Sequence, residues 1–449
     1  MRLKKERTAV AVLMVLALIV SACATTGSPS GGGGGAAPTG NDTGKAFVFA
    51  STQFTPVAEQ ENMRSKILAG YKGAAIDFIT EAENASIDRV TAEAKSGSAG
   101  QIGLIGYENG QFGSLARAGY LEDLTKILDK HKDKKIPADM IELGKLGTKE
   151  QVYIPWMQAT YIMAVNKKAM EFLPAGADVN ALTYDQLIAW GKNIQDKTGQ
   201  KRIGLPAGAN SLLHRLMQGY FYPSYTGGLV TTYKSADAAT MWGKVKELWA
   251  VTNPQSTTYA FMQEPLRSEE VWIGFDHVAR LIEVLKAKPD DFLAVPAPAG
   301  PKGRYYMSVV IGLAIPKTTP NRGGAEAVID HLLKPETQIL TLRENSFFPV
   351  IDVKMPTDLN KGLQLEADAV IKQSSAKDAK VVPLPVGLGA KGGDFNKAIV
   401  DTFQRIVIKG ENVQTVLNEQ SALLQKAVTE ANAPCWGPDG TSTGPCQVK

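Results

Sequence analysis

The spacing of apolar residues changes several times along the chain. Ala9 to Val20 is an unbroken run of twelve apolar residues, preceded by Arg2, Lys4, Lys5 and Arg7. It is too short to span a hydrocarbon core of ~30 Å, and a cationic flank before a short apolar run is the plan of a secretory signal. Beyond residue 45 the apolar runs are shorter and alternate in period. Lys45 to Ser51 reads as a strand. Thr55 and Pro56 then start a helix, Thr as cap and Pro at the first position, with Met63, Ile67 and Tyr71 at helical spacing. Ala74 to Thr80 predicts a second strand, Asp88 to Lys95 a helix and Ile102 to Gly106 a third strand. Tyr153 to Val165 is extended and aromatic. Thr183-Tyr184-Asp185-Gln186 is a capping box whose helix runs to Gly199. Arg202 to Ala207 is a predicted strand, followed by helices near 210–221 and 235–251. Val271 to Phe275 is another strand, with Asp276 as cap of the next helix. Phe292 to Pro296 and Met307 to Ile315 complete the strands, and from Gly323 to the last helix, Val413 to Ala431, the pattern is mainly helical. Strands alternating with helices of this length predict an α/β protein with parallel sheets.

Composition narrows the function. Of 449 residues 44% are hydrophobic and 21% charged, which excludes a disordered chain and suggests two to three domains. The formal net charge of +4 (49 basic residues against 45 acidic) comes with no basic block, so nothing indicates nucleic acid as a partner. Three Cys and four His make a metal framework a poor expectation, and we expect no metal and no cofactor. HExxH and the P-loop pattern are absent. Gly387-Leu388-Gly389-Ala390-Lys391-Gly392 matches GxGxxG, but Pro383 and Pro385 weaken a preceding central strand and no βαβ unit follows. It reads as a Gly-rich loop into a helix capped by Asp394, and such a loop can line a binding site through free N–H donors.

Val20-Ser21-Ala22-Cys23 resembles the bacterial lipobox, in which the Cys is lipidated and becomes the first residue after cleavage. On that reading 1–22 is the signal and 23–44, with Gly31 to Gly35, is a lipidated Cys and flexible linker that holds the folded part off a membrane. Cys435 and Cys446 then remain, in a tail at 434–449. In an exported protein they most simply pair, with two free thiols as the alternative.

The ordered segments resemble the extracellular solute-binding proteins of ABC importers, in the family that includes maltose-type sugar-binding proteins. Ile154-Pro155-Trp156-Met157 through Asn166-Lys167 is similar to the family's crossing strand. Leu182-Thr183-Tyr184-Asp185-Gln186-Leu187 is similar to a helix start, and Gly312-Leu313-Ala314-Ile315-Pro316-Lys317 with Ala325 to Leu333 to a returning strand and helix. Gly119-Tyr120-Leu121-Glu122-Asp123-Leu124, Val271 to His277 and the Cys-Trp…Cys tail add to the likeness, which runs from about 46 to 446. It departs at Asp276-His277, where relatives often place a Trp. The resemblance implies a two-lobed periplasmic-binding-protein-like fold (type II), with lobes joined by crossing hinge strands and ligand in the cleft. The lobes fall at 45–158 plus 307–345 and at 163–303 plus 350–433. It implies no enzyme activity. The role is that of a monomeric, lipid-anchored protein outside the cell membrane that captures a carbohydrate and delivers it to the transmembrane subunits of an ABC permease. The alternatives are the same role for a polyamine, iron or a phosphorylated compound, and a surface glycosidase.

Ligands of open α/β sheets sit beyond the carboxyl ends of strands. Sugar hydroxyls need carboxylates and amides there, and ring faces need aromatic platforms. The polar candidates are therefore Gln53, Glu108, Asn109, Gln158, Asp276 and His277. Trp156, Tyr161, Tyr220, Tyr222, Trp272, Tyr305 and Phe348 are the aromatic pool, from which Trp156, Tyr222, Trp272 and Phe348 are selected. Arg280, one turn beyond His277, is an expected partner for a carboxylate on the opposite lobe.

Overall fold

The computed structural model describes residues 42–54 and 56–449. The signal, the proposed lipidation site at Cys23, most of the linker and the cap expected at Thr55 lie outside the described residues.

Two sheets organise the chain. The first is ordered β10-β9-β3-β1-β2, with β4 paired to β9 off this path. Its strands are β1 (Phe47–Ser51), β2 (Ile76–Thr80), β3 (Ile102–Glu108), β4 (Ile154–Ala159), β9 (Arg304–Ala314) and β10 (Ala379–Pro383). β1 runs parallel to both β2 and β3, as the alternating strand–helix pattern requires, while β9 runs antiparallel to β3 and β4. The second sheet is ordered β6-β7-β5-β8, from β5 (Tyr161–Asn166), β6 (Ile203–Gly204), β7 (Ile273–His277) and β8 (Phe292–Val295).

Chain segments cross between the sheets. β4 and β5 form nearly one run, with only Thr160 between them, and the Thr160 hydroxyl donates to the Met307 carbonyl on β9 at 2.8 Å. Gln158 and Phe348 exchange two backbone hydrogen bonds of 2.9 and 2.7 Å, which brings a third segment alongside. Backbone groups in a buried crossing must be paired, and these contacts pair them.

Several elements differ from the expectations. The strand expected over Arg202–Ala207 shrinks to Ile203–Gly204, because Leu205 N donates to the Ser256 hydroxyl and Ala207 N to the Ser256 carbonyl instead of to a ladder. β10 is a strand within the stretch expected to be helical. It forms one edge of the first sheet, with Pro383 as its last residue, where a missing N–H costs least. The first helix is Val57–Asn62 with Pro56 at the cap position. Gly392–Phe403 is capped at Lys391, so Asp394 lies inside the first turn. The capping box forms as expected: Thr183 Oγ1 accepts from Gln186 N (3.2 Å) and Gln186 Oε1 accepts from Thr183 N (2.9 Å).

Cys435 and Cys446 are joined, Cα to Cα 4.5 Å. Within the closed loop the Asp439 carboxylate accepts from the backbone N–H of Leu229, Val230 and Thr231 and from the Thr231 hydroxyl. Trp436 meets Phe395 edge-on at 5.8 Å. The tail is thus clipped onto the segment 229–231.

Candidate functional site

A cavity of about 700 Å³ opens between the ends of the two sheets. The first sheet contributes Thr52 and Gln53 beyond β1 and Glu108 at the end of β3; the helix after β1 adds Glu59 and Asn62. Arg215, Phe261, Glu264, His277 and Arg280 come from the side of the second sheet, and Tyr161, Val309 and Phe347 from the crossing segments.

The turn after β1 is bent by Phe54, whose φ of 61° is left-handed and rare for a bulky residue. Its ring is held at 5.3 Å from Phe347, 6.2 Å from Trp156 and 6.3 Å from Phe78, and this aromatic packing offsets the backbone strain. The result turns Thr52 and Gln53 toward the cavity. Gln111 organises the wall: its Oε1 accepts from the Thr52 hydroxyl (2.7 Å) and from Glu108 N (3.1 Å). Glu108 Oε2 then meets Arg215 Nη2 at 3.1 Å, an ion pair from one side of the cleft to the other.

On the second side Arg280 lies 4.4 Å above the Phe261 ring and donates to the Ala260 carbonyl at 3.1 Å. Phe261 is 38% exposed, whereas Phe54, Tyr161 and Phe347 are buried, so it is the aromatic face in the lining that a solute can reach. Desolvation pushes the Glu59 carboxyl up to about 7, and the charge of Arg280 opposes that shift. His277 is held down to about 3 by burial and by Arg280. Its Nδ1 accepts from Ala279 N at 3.2 Å, which places the ring proton of the neutral imidazole on Nε2.

The expected site residues divide. Gln53, Glu108 and His277 line the cavity. Asp276 is fully buried behind it; its carboxylate accepts from Met262 N (3.1 Å) and His277 N (2.8 Å), and burial pushes it up to about 7. The cap expected of Asp276 is made by His277, one residue later, because β7 extends through both. Asn109 is buried in a helical turn with both amide atoms unpartnered. Gln158 donates to the Pro349 carbonyl (2.9 Å) and serves the crossing. Phe348 pairs there with Gln158, and its neighbour Phe347 faces the cleft, since successive extended residues point to opposite sides.

Trp156 is buried, with its carbonyl accepting from Gln338. Tyr222 is core: its hydroxyl accepts from Trp242 Nε1 (2.9 Å) and donates to the Tyr233 carbonyl (3.2 Å). Trp272 stacks on Phe172 at 6.0 Å beneath Arg202, at the far end of β7 from the cleft. Glu59, Arg215, Phe261 and Glu264 carry no pattern in the sequence that sets them apart; Arg280 is recognisable by its spacing from His277.

A two-sheet α/β body with a polar cleft at the strand ends defines a class of solute-binding protein. Residues 55–339 match the family described as bacterial extracellular solute-binding protein, and the chain belongs to that family. Solved structures share the two-lobed fold. The GacH receptor of Streptomyces glaucescens, solved unliganded and with acarbose, is 16% identical with a TM-score of 0.65, over 85% of this chain and 98% of that one. A sugar transporter from Arthrobacter chlorophenolicus with bound laminaribiose is 16% identical, TM-score 0.66, over 85% and 99%. Maltose-bound MalE3 of T. maritima is also 16% identical, TM-score 0.66, over 85% and 99%. No match is found among curated proteins.

Proposed function

We propose that this protein is the carbohydrate-capturing component of an ABC importer. The observation that carries the reading is the cavity of about 700 Å³ at the strand ends, lined by carboxylates, amides and guanidinium groups around one accessible aromatic face, in a chain of the solute-binding family. Hydroxyl pairs match Glu108, Gln53 and Arg280, and the C–H face of a pyranose matches Phe261. The volume suits a ligand of two to three rings within the ordinary range of pockets. Structural relatives with bound acarbose, laminaribiose and maltose support a sugar.

The lobes are proposed at 45–158 plus 307–345 and 163–303 plus 350–433, and they close around the ligand about the crossing segments. Ligand touching both walls favours the closed population by its differential affinity. The closed form docks on the permease. Lipidation at Cys23 would anchor a monomer at the outer face of the cell membrane. A charged non-sugar solute is the second reading, favoured by Arg280 and Glu59 in the lining.

A thermal-shift screen against mono-, di- and oligosaccharides, with polyamines, amino acids and ferric citrate alongside, tests the assignment. A ligand at a hundred times its dissociation constant adds about 2.7 kcal/mol of stability. Stabilisation by one sugar class supports the reading. Stabilisation by a charged non-sugar alone overturns the carbohydrate assignment.

A further inference from the structure

The GxGxxG segment, with no βαβ unit after it, packs against the opposite side of the cleft. It follows β10 and leads into helix Gly392–Phe403, which packs with helix Val413–Glu430 and with Leu213–Leu216, the helix that carries Arg215. Its other face lies on the turn after β3. A Cβ on Gly110 would sit 2.0 Å from the Pro385 carbonyl oxygen, so only glycine fits there, and one on Gly113 would crowd the Gly387 Cα at 3.0 Å, so the two backbones are in close contact. Gly387 itself has a φ of 79°. Arg117 Nη2 donates to the carbonyls of Gly387 (3.0 Å) and Ala431 (3.2 Å). The Glu108–Arg215 pair lies beside these contacts, at 3.1 Å.

We propose that the Gly387–Gly392 loop, with Arg117 and the Glu108–Arg215 pair, is a clasp that joins the two walls of the cleft and sets ligand affinity by limiting how far they open. The clasp rests on the two-lobed capture reading and adds a positioning role for Arg117 and the glycines, none of which lines the main cavity. Its strength is balanced. The Ser114 hydroxyl, buried beside Gly389, would gain solvent on opening, which offsets part of those hydrogen bonds.

The test compares Arg117→Met, Gly110→Ala and a control, Gly243→Ala, whose added methyl meets nothing within 4 Å. Small-angle scattering of each ligand-free protein is the first readout and circular dichroism verifies folding. The expected result is a larger radius of gyration for the folded Arg117→Met and Gly110→Ala proteins and an unchanged value for the control. If the clasped fraction falls to about a tenth, the dissociation constant for a sugar that stabilises the wild type rises about tenfold. Unchanged ligand-free radii in both clasp variants overturn the proposal. Should Gly110→Ala fail to fold, Arg117→Met alone decides it. The ligand-free radii read the clasp even if no sugar binds, so a failed carbohydrate assignment and a failed clasp give different results.

Discussion

Glu108 and Asp276 are both carboxylates at the carboxyl end of a strand, one in each sheet. Glu108 keeps 19% of its side chain exposed, faces the cavity and is paired with Arg215. Asp276 has no exposed surface and spends both oxygens on backbone N–H groups of its own side. The strand position alone therefore does not bring a residue to the cavity. What separates them is the chain packed on each: Glu108 is left facing the cavity, whereas the loop at 260–264, ahead of β7, binds Asp276 through Met262 N and presents Phe261 and Glu264 to the cavity. The aromatic residues divide the same way, with Phe261 at the cleft and Tyr222 locked in the core.

Removing the cleft carboxylate has the largest expected effect on binding. Glu108→Ala should weaken sugar affinity about 10- to 100-fold, the range for hydrogen bonds to a charged group, and lower the unfolding free energy by about 1–3 kcal/mol because the largely buried Arg215 loses its partner. Titration calorimetry and denaturant unfolding read the two. Lost stability with unaltered affinity would put Glu108 in the same category as Asp276.

Asp276→Ala should do the reverse, lowering stability by about 2 kcal/mol because two buried N–H groups lose their acceptor, with affinity within about threefold of wild type. The pH dependence sharpens this. Asp276 titrates higher in the folded protein, at about 7, than its unfolded value of 3.8. The native state therefore holds the extra proton, and the stability contributed by Asp276 is lost as pH rises from about 4 to about 7. His277, lowered to about 3, acts oppositely, destabilising as pH falls below about 6.5. Asp276→Asn should remove the first trend and leave the second, so its stability relative to wild type should climb across that window. Melts at several pH values check it, and a constant difference would contradict a buried, protonating Asp276.

Tyr222→Phe should cost about 1–2 kcal/mol, since Trp242 Nε1–H is left without its acceptor, while sugar affinity stays unchanged. Phe261→Ala is the smallest of the set. A loss of about 3- to 10-fold in affinity is expected from removing one ring contact, with no measurable change in melting because the ring is already exposed. Equal affinities for Phe261→Ala and wild type would remove the ring from the binding surface.

Much of this architecture is visible in local pattern. The apolar runs at Lys45–Ser51, Ile102–Gly106 and Met307–Ile315 each hold a strand, and Thr183 and Gln186 mark their helix start to the residue. These signals are short in range: alternation, caps and turn residues act over a few positions, so the residues themselves carry them. Gln53, Glu108 and His277 were accessible by the same route, since a polar residue ending an apolar strand is a local feature. Lateral placement is not local. Trp272 and Asp276 belong to one stretch of sequence, yet one stacks under Arg202 away from the cleft and the other is sealed behind it. Phe348 and Phe347 exchange roles through one residue of register set by the pairing with Gln158.

The order of strands and helices, the α/β class and the strand-end location of the cavity thus follow from periodicity and turn chemistry along this chain. Which polar residues face the cavity, which are spent inside the core, and how Arg215 and the Gly387 loop reach across to the opposite wall depend on contacts between segments a hundred or more residues apart. Those contacts are set by packing and desolvation, which have no signature in the spacing of residues along the chain.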